Sequence, residues 1–323
     1  MKPFQMDNAK TVEEAASLLS GYMGKAKVIA GGVDIIRLMK NEVILPDALV
    51  NIKTIPGLAF IKENDDGLKI GSMTTIHDID TSKVTRDRYS LLAEAAHSVA
   101  APQLRNMSTV GGNLCQEVSC WYYRMSPVTG RSFSCRRKGG KQCYAVTGDN
   151  TYHAIINGGK CHAVCPSDMA VALIALDAKV KIASQDGGKI IPLEEFYTAM
   201  GNILKTDEII TEIQVPHLGP SVRQRYLKFR IRKTIDFAIV SVAATLTTET
   251  GVVSDARIVL GGIASTPYRA NSAEEAIKGS RITENVAEIV AKEAIAEAKP
   301  LTMNSYKLPI TEALVKQAIL EQN

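Results

Sequence analysis

Six cysteines, Cys115, Cys120, Cys135, Cys143, Cys161 and Cys165, fall within 51 consecutive residues, and the other 272 residues contain none. Thiols used only as small core residues would be scattered, so the clustering points to a metal site or a disulfide framework. The opening residues Met1-Lys2-Pro3-Phe4-Gln5 carry no apolar stretch of a secretory signal. This favours metal, because disulfides persist in oxidising compartments. It also predicts a cytoplasmic chain, or one exported to the periplasm with a signal-bearing partner. The cysteines are spaced by 5, 15, 8, 18 and 4 residues. Structural zinc sites use short pairs that pre-form half a tetrahedron, and only Cys161-x-x-x-Cys165 is that short. The wide remainder fits an iron–sulfur cluster enclosed by an irregular loop. From Val118 to Gly148 there are six basic residues (Arg124, Arg131, Arg136, Arg137, Lys138, Lys141) and no acidic one. Positive charge there would stabilise thiolates and an anionic cluster. The competing readings are a solvated basic loop with idle thiols, a zinc site and an RNA-binding loop.

Two glycine turns offer a second chemistry. Ala30-Gly31-Gly32-Val33-Asp34-Ile35 lies between an apolar strand and a helix start. Backbone N–H groups in such a turn face a phosphate, and the helix dipole adds attraction. Thr109-Val110-Gly111-Gly112-Asn113 repeats the form with a hydroxyl and an amide in addition. Side by side, the two would hold a pyrophosphate; alone, each is more often a tight turn. The chain contains neither G-x-G-x-x-G nor the P-loop pattern, which disfavours nicotinamide binding on a Rossmann domain. Its five histidines, His77, His97, His153, His162 and His217, make no paired metal spacing, and no G-x-S-x-G elbow is present. With so little chemistry on its own side chains, a bound cofactor is the expected reactive element.

The elements that must position these residues are short and mixed. Thr11-Val12-Glu13-Glu14 predicts a capping box opening an amphipathic helix through Leu19. Val28 to Ala30 reads as a strand, and Ile35 to Lys40 as a helix with Asp34 as its cap. Strands are expected at 48–52, 58–62 and 68–72, a helix over 90–101, and a helix entering a strand over 169–178. Pro216, Gly219 and Pro220 mark a domain boundary. Beyond it, 226–248 and 256–263 read as antiparallel strands turning at Thr250-Gly251, followed by helices at 273–278, 284–298 and 310–322. Length and composition agree with two ordinary domains: 323 residues, 46% hydrophobic, 22% charged and a net charge of only +4. Such a balance argues against nucleic acid as the partner. The best apolar run, Phe237 to Leu246, is far shorter than the ~20 residues that span a bilayer.

Taken in order, Ala30-Gly31-Gly32, Thr109-Val110-Gly111-Gly112-Asn113, Pro166-Ser167-Asp168 and Leu260-Gly261-Gly262-Ile263-Ala264 resemble the FAD-binding medium subunit of the molybdenum hydroxylases, over essentially the whole chain. The resemblance implies an α+β fold. A two-part p-cresol-methylhydroxylase-type FAD-binding domain would occupy 1–217, with a cysteine-rich insertion at about 114–165. A smaller domain of antiparallel sheet and helices would occupy 218–323. It further implies that Lys27, Val28, Ile29, Ala30, Gly31, Gly32, Val33, Asp34 and Ile35 line the FAD pyrophosphate. Thr109, Gly112 and Asn113 would complete that cradle, Asp168 would hydrogen-bond the cofactor, Lys228 would lie near the flavin, and Ile210 would pack against it. The cysteine insertion is similar to that of a subgroup carrying a [4Fe–4S] cluster, which includes 4-hydroxybenzoyl-CoA reductase and a bacterial aldehyde oxidoreductase. The subgroup pattern matches Cys120, Cys135, Cys143 and Cys161 as ligands, while Cys115 and Cys165 depart from it and Cys165 competes with Cys161 for the fourth corner. Val33-Asp34 also departs from the commoner Thr-Asn or Gln-Ser, which removes a hydroxyl.

The implied partners are a large subunit holding the molybdenum cofactor and a small subunit holding [2Fe–2S] clusters, in a heterotrimer. A ferredoxin-like or nicotinamide carrier would be the external acceptor, with no membrane span and no nucleic acid. The substrate would be an aldehyde, a purine or other N-heterocycle, or an aromatic acyl-CoA. A self-sufficient flavin oxidase and a zinc-stabilised interaction module are the rival functions.

Overall fold

In this computed structural model, residues 1–125, 128, 130 and 132–322 are described. Arg131 of the basic loop therefore lies outside the described residues. The first sheet is parallel, with Ala48–Asn51 between Gln5–Asn8 and Ala26–Ile29. Its central strand reads Ala-Leu-Val-Asn and is buried throughout, as a parallel strand covered on both faces must be. The helix Val12–Gly21 opens on Thr11, whose hydroxyl accepts from Glu14 N. Glu14 reaches back to Lys10 N, one residue earlier than a capping box would place it.

The second sheet has five strands in the order Ile61–Asn64, Gly67–Gly71, Ile209–Pro216, Lys179–Ser184 and Gly187–Pro192, antiparallel throughout. In Lys179–Ser184, lysines 179 and 181 face outward while Val180 and Ile182 are buried. The turn at Pro56-Gly57 carries the chain from the first sheet to the second. The helix Asp168–Ala175 is buried along its length and packs in the central core with the helix Ser90–Ser98.

The third sheet orders Val222–Phe229, Val240–Glu249, Val252–Gly261 and Tyr268–Arg269, all antiparallel. The stretch 226–248, read as one strand, is two. Asp236 accepts from Arg232 N and its guanidinium, and Ile235 adopts φ +67°, so the chain loops out between Phe229 and Val240. The apolar run through Leu246 is a strand covered on both faces. Ala243 packs into the central core with the helix Asp168–Ala175, and Val242, Ala244 and Leu246 pack against the C-terminal helices Asn271–Ile277, Glu284–Glu293 and Lys307–Leu320. Among the described residues no helix is long and apolar enough to cross a membrane.

Candidate functional site

Gly31 and Gly32 set the first turn. A Cβ on Gly31 would stand 1.7 Å from the Met107 carbonyl oxygen, so only glycine lets this turn lie against the backbone that leads into the second one. Gly32 has φ +76°, the left-handed region that favours glycine. The N–H groups of Gly31, Gly32, Val33 and Asp34 donate to no acceptor among the described residues. Four consecutive free amides ahead of the helix Ile35–Lys40 form a concavity suited to an anion. Lys27 is exposed and Val28 half-buried on the preceding strand, Ile29 is buried, and Val33 is exposed.

Asp34 does not cap the helix. Its own backbone is already helical, at φ −90° and ψ −49°, and its carboxylate turns away from the turn. It accepts from Glu117 N at 2.9 Å and from Arg124 Nη1 at 2.8 Å. The paired charge no longer opposes an anion at the amides, and it ties the turn to the cysteine insertion.

The second turn uses its amides internally. Val110 N donates to Thr74 O, Gly111 N to Ser72 O, and Gly112 N to the Thr109 hydroxyl at 3.1 Å. It therefore presents no free row of N–H groups. What it offers is the exposed Gly112, the hydroxyl hydrogen of Thr109, and Asn113, whose Oδ1 accepts from Ser167 Oγ at 2.6 Å. Ser167 in turn caps the helix Asp168–Ala175. Asp168 follows at once, accepting from Tyr226 OH and from Lys228 Nζ at 2.7 Å each. Lys228 Nζ also donates to Ser98 O. The two turns, the Pro-Ser-Asp segment and the C-terminal sheet thus form one connected line. Ile210 is buried in the central core; next to it Thr211 O accepts from Ser72 N, behind Gly111.

The cysteines separate into two groups. Cys120, Cys135, Cys143 and Cys161 line one cavity with Tyr122, Tyr123 and Arg137. Cys165 lines a different crevice, beside Pro166, Ser167 and Phe237. Cys115 packs at the edge of the central core. Burial pushes the Cys115 thiol up to about 12 and those of Cys120 and Cys165 up to about 11. Among the described residues no three His, Cys, Asp or Glu side chains gather where a single ion would be held. The set around the cavity, four thiols with Arg136, Arg137, Lys160 and no carboxylate, is that of a polynuclear sulfur-bound group.

Most of the basic residues brace this loop. Arg124 donates to Val118 O and Glu117 O, Arg136 to Lys141 O and Lys160 O, and Lys138 to Tyr122 O and Met125 O. Arg137 alone of these reaches sulfur, with Nε 3.2 Å from Cys161 Sγ. His153 is buried, its Nε2 3.3 Å from Cys120 Sγ, and its pKa is lowered to about 4 by burial and the nearby Lys307 charge. The sequence counts Arg137 only as one of six basic residues whose charge would favour thiolates and gives His153 no role; no local pattern singles out either. Tyr226 was given no role either, although it precedes Lys228 by two on one strand, so that both face Asp168.

Residues 2–218 match the FAD binding domain in molybdopterin dehydrogenase, and residues 225–322 the CO dehydrogenase flavoprotein C-terminal domain. The aldehyde oxidoreductase FAD-binding subunit PaoB of Escherichia coli (strain K12) is 32% identical over 333 residues, covering 99% of this chain and 98% of that one. The carbon monoxide dehydrogenase medium chain of Hydrogenophaga pseudoflava is 27% identical, covering 98% and 96%. A solved structure of carbon monoxide dehydrogenase from Hydrogenophaga pseudoflava covers all of this chain, with a TM-score of 0.80 at 28% identity. The fold is that of an oxidoreductase flavoprotein subunit. The chain belongs to the FAD-binding subunits of the molybdenum hydroxylase family.

Proposed function

We propose that this chain passes electrons between the [2Fe–2S] clusters of a partner subunit and an external carrier, through FAD and a [4Fe–4S] cluster of its own. The observation that carries the reading is the sorting of the thiols: Cys120, Cys135, Cys143 and Cys161 line one cavity, and Cys115 and Cys165 do not. Cys161 rather than Cys165 is then the fourth ligand.

Bound FAD supplies the exchange between two-electron and one-electron chemistry. The free amides of Gly31 to Asp34 would hold its pyrophosphate, between Lys27 and Ile35. Thr109, Gly112 and Asn113 would close that cradle. Asp168 and Lys228 would stand toward the flavin, with Ile210 packed behind. We assign the FAD-binding domain to 1–217 and the C-terminal domain to 218–323. Substrate chemistry, on an aldehyde, a purine or other N-heterocycle, or an aromatic acyl-CoA, belongs to a molybdenum-bearing large subunit. A ferredoxin-like or nicotinamide carrier is the external partner, in the cytoplasm.

The test is iron content in the anaerobically purified complex. Cys143→Ser should lose four irons per chain, while Cys115→Ser and Cys165→Ser keep them. Full iron in Cys143→Ser overturns the ligand assignment. Substrate turnover by this chain without partners would favour a self-sufficient oxidase instead.

A further inference from the structure

Arg136, Arg137 and Lys138 are consecutive on the short 3-10 turn Arg136–Lys138 that follows Cys135, yet they do different things. Arg136 is exposed; it lines the cysteine cavity but donates to the carbonyls of Lys141 and Lys160. Lys138 binds the carbonyls of Tyr122 and Met125. Arg137 turns inward, its side chain only 5% exposed, and donates from Nε to Cys161 Sγ at 3.2 Å. Its two other nitrogens are fixed on the Met200 and Ala199 carbonyls at 3.0 Å each. Those carbonyls belong to the tight turn between Tyr197–Thr198 and Gly201–Asn202. The Glu117 carboxylate is 3.8 Å away, at the outer side.

We propose that Arg137 is a positioning residue that raises the reduction potential of the cluster held by Cys161. The inference rests on the cysteine assignment above. Reduction would add one electron, supplied by reduced FAD, to a centre that the four thiolates would hold. No bond breaks and no proton is required, so the whole cost is added negative charge. An N–H donor on a ligand sulfur favours the more negative state, and so does a guanidinium that stays charged. Burial amplifies both effects, because little water remains to screen them. The planar fork is already anchored on two carbonyls, so the N–H is aimed before the electron arrives and does not reorganise.

The experiment is an EPR-monitored redox titration of the purified complex, with iron counted on the same samples. Arg137→Gln should keep its irons. At the wild-type midpoint its reduced-to-oxidised ratio should fall at least tenfold, which is about 59 mV for a one-electron couple. Arg137→Lys keeps the charge without the fork and should fall less. Arg136→Gln removes a neighbouring charge that touches no sulfur, and should move the ratio by less than half as much. An unchanged midpoint in iron-replete Arg137→Gln overturns the proposal, as does an equal shift in Arg136→Gln. Loss of iron in both Arg137 variants makes the residue a structural brace and also overturns it. Wild-type complex without the four irons fails the cysteine assignment first, and this proposal with it.

Discussion

Lys228 and Asp168 are 3% and 5% exposed and 2.7 Å apart, so neither charge has water to fall back on. Removing one partner of such a pair leaves the other buried and unpaired. Lys228→Met should lower the unfolding free energy by about 3–5 kcal/mol, read from the denaturant midpoint; a loss below about 1 kcal/mol would show the pair to be dispensable. Lys307 is a second buried cation, but it faces only the carbonyls of Tyr152 and Gly262. Burial lowers its pKa from 10.5 to about 7. The unfolded chain therefore holds more protons than the folded one between those values, and stability from this group rises with pH across that window. From pH 7 to pH 9 the wild type should gain on the order of 2 kcal/mol over Lys307→Met. A pH-independent difference would contradict the assignment. Asp168 and Lys228 were placed at the site through the resemblance, on short motifs, but their pairing with each other and with Tyr226 was not legible. The contacts of Arg137 and His153 were not legible either, since each meets its thiol across 24 and 33 residues of irregular chain.

Among elements, the first glycine turn carries the most. Gly31→Val would drive a side chain into the Met107 carbonyl and part the two turns, so FAD per chain should fall well below stoichiometric by absorbance. Unchanged flavin content would show that the turns need not touch. The helices were readable because their periodicity is local: Ile35–Lys40 and Glu284–Glu293 begin where the spacing places them. Asp34 was misread as a cap because a cap and a tether to residues 117 and 124 use the same residue type. The second turn resembled the first in sequence, yet its amides are consumed by Ser72 and Thr74. Those acceptors lie on a segment that no local pattern connects to it.

At the scale of the molecule, the cysteine insertion is held between the first glycine turn and the C-terminal domain. Asn304 is fully buried and donates to the carbonyls of His153 and Ala154. Asn150 Oδ1 accepts from Met303 N, and its amide donates to Thr302. Asn304→Ala strands two carbonyls and should cost about 1–3 kcal/mol, with faster proteolysis of the insertion as its readout; wild-type cleavage rates would mean the loop is held elsewhere. Such contacts span about 150 positions, which is why the two-domain class was legible in motif order while the clamp was not. What the chain binds decides its function. Anaerobic purification with its partners, followed by flavin, iron and zinc quantification, tests that most directly. About one FAD and four irons per chain, beyond the partner's clusters, is the predicted result; zinc in place of iron, or flavin without the extra iron, would contradict it.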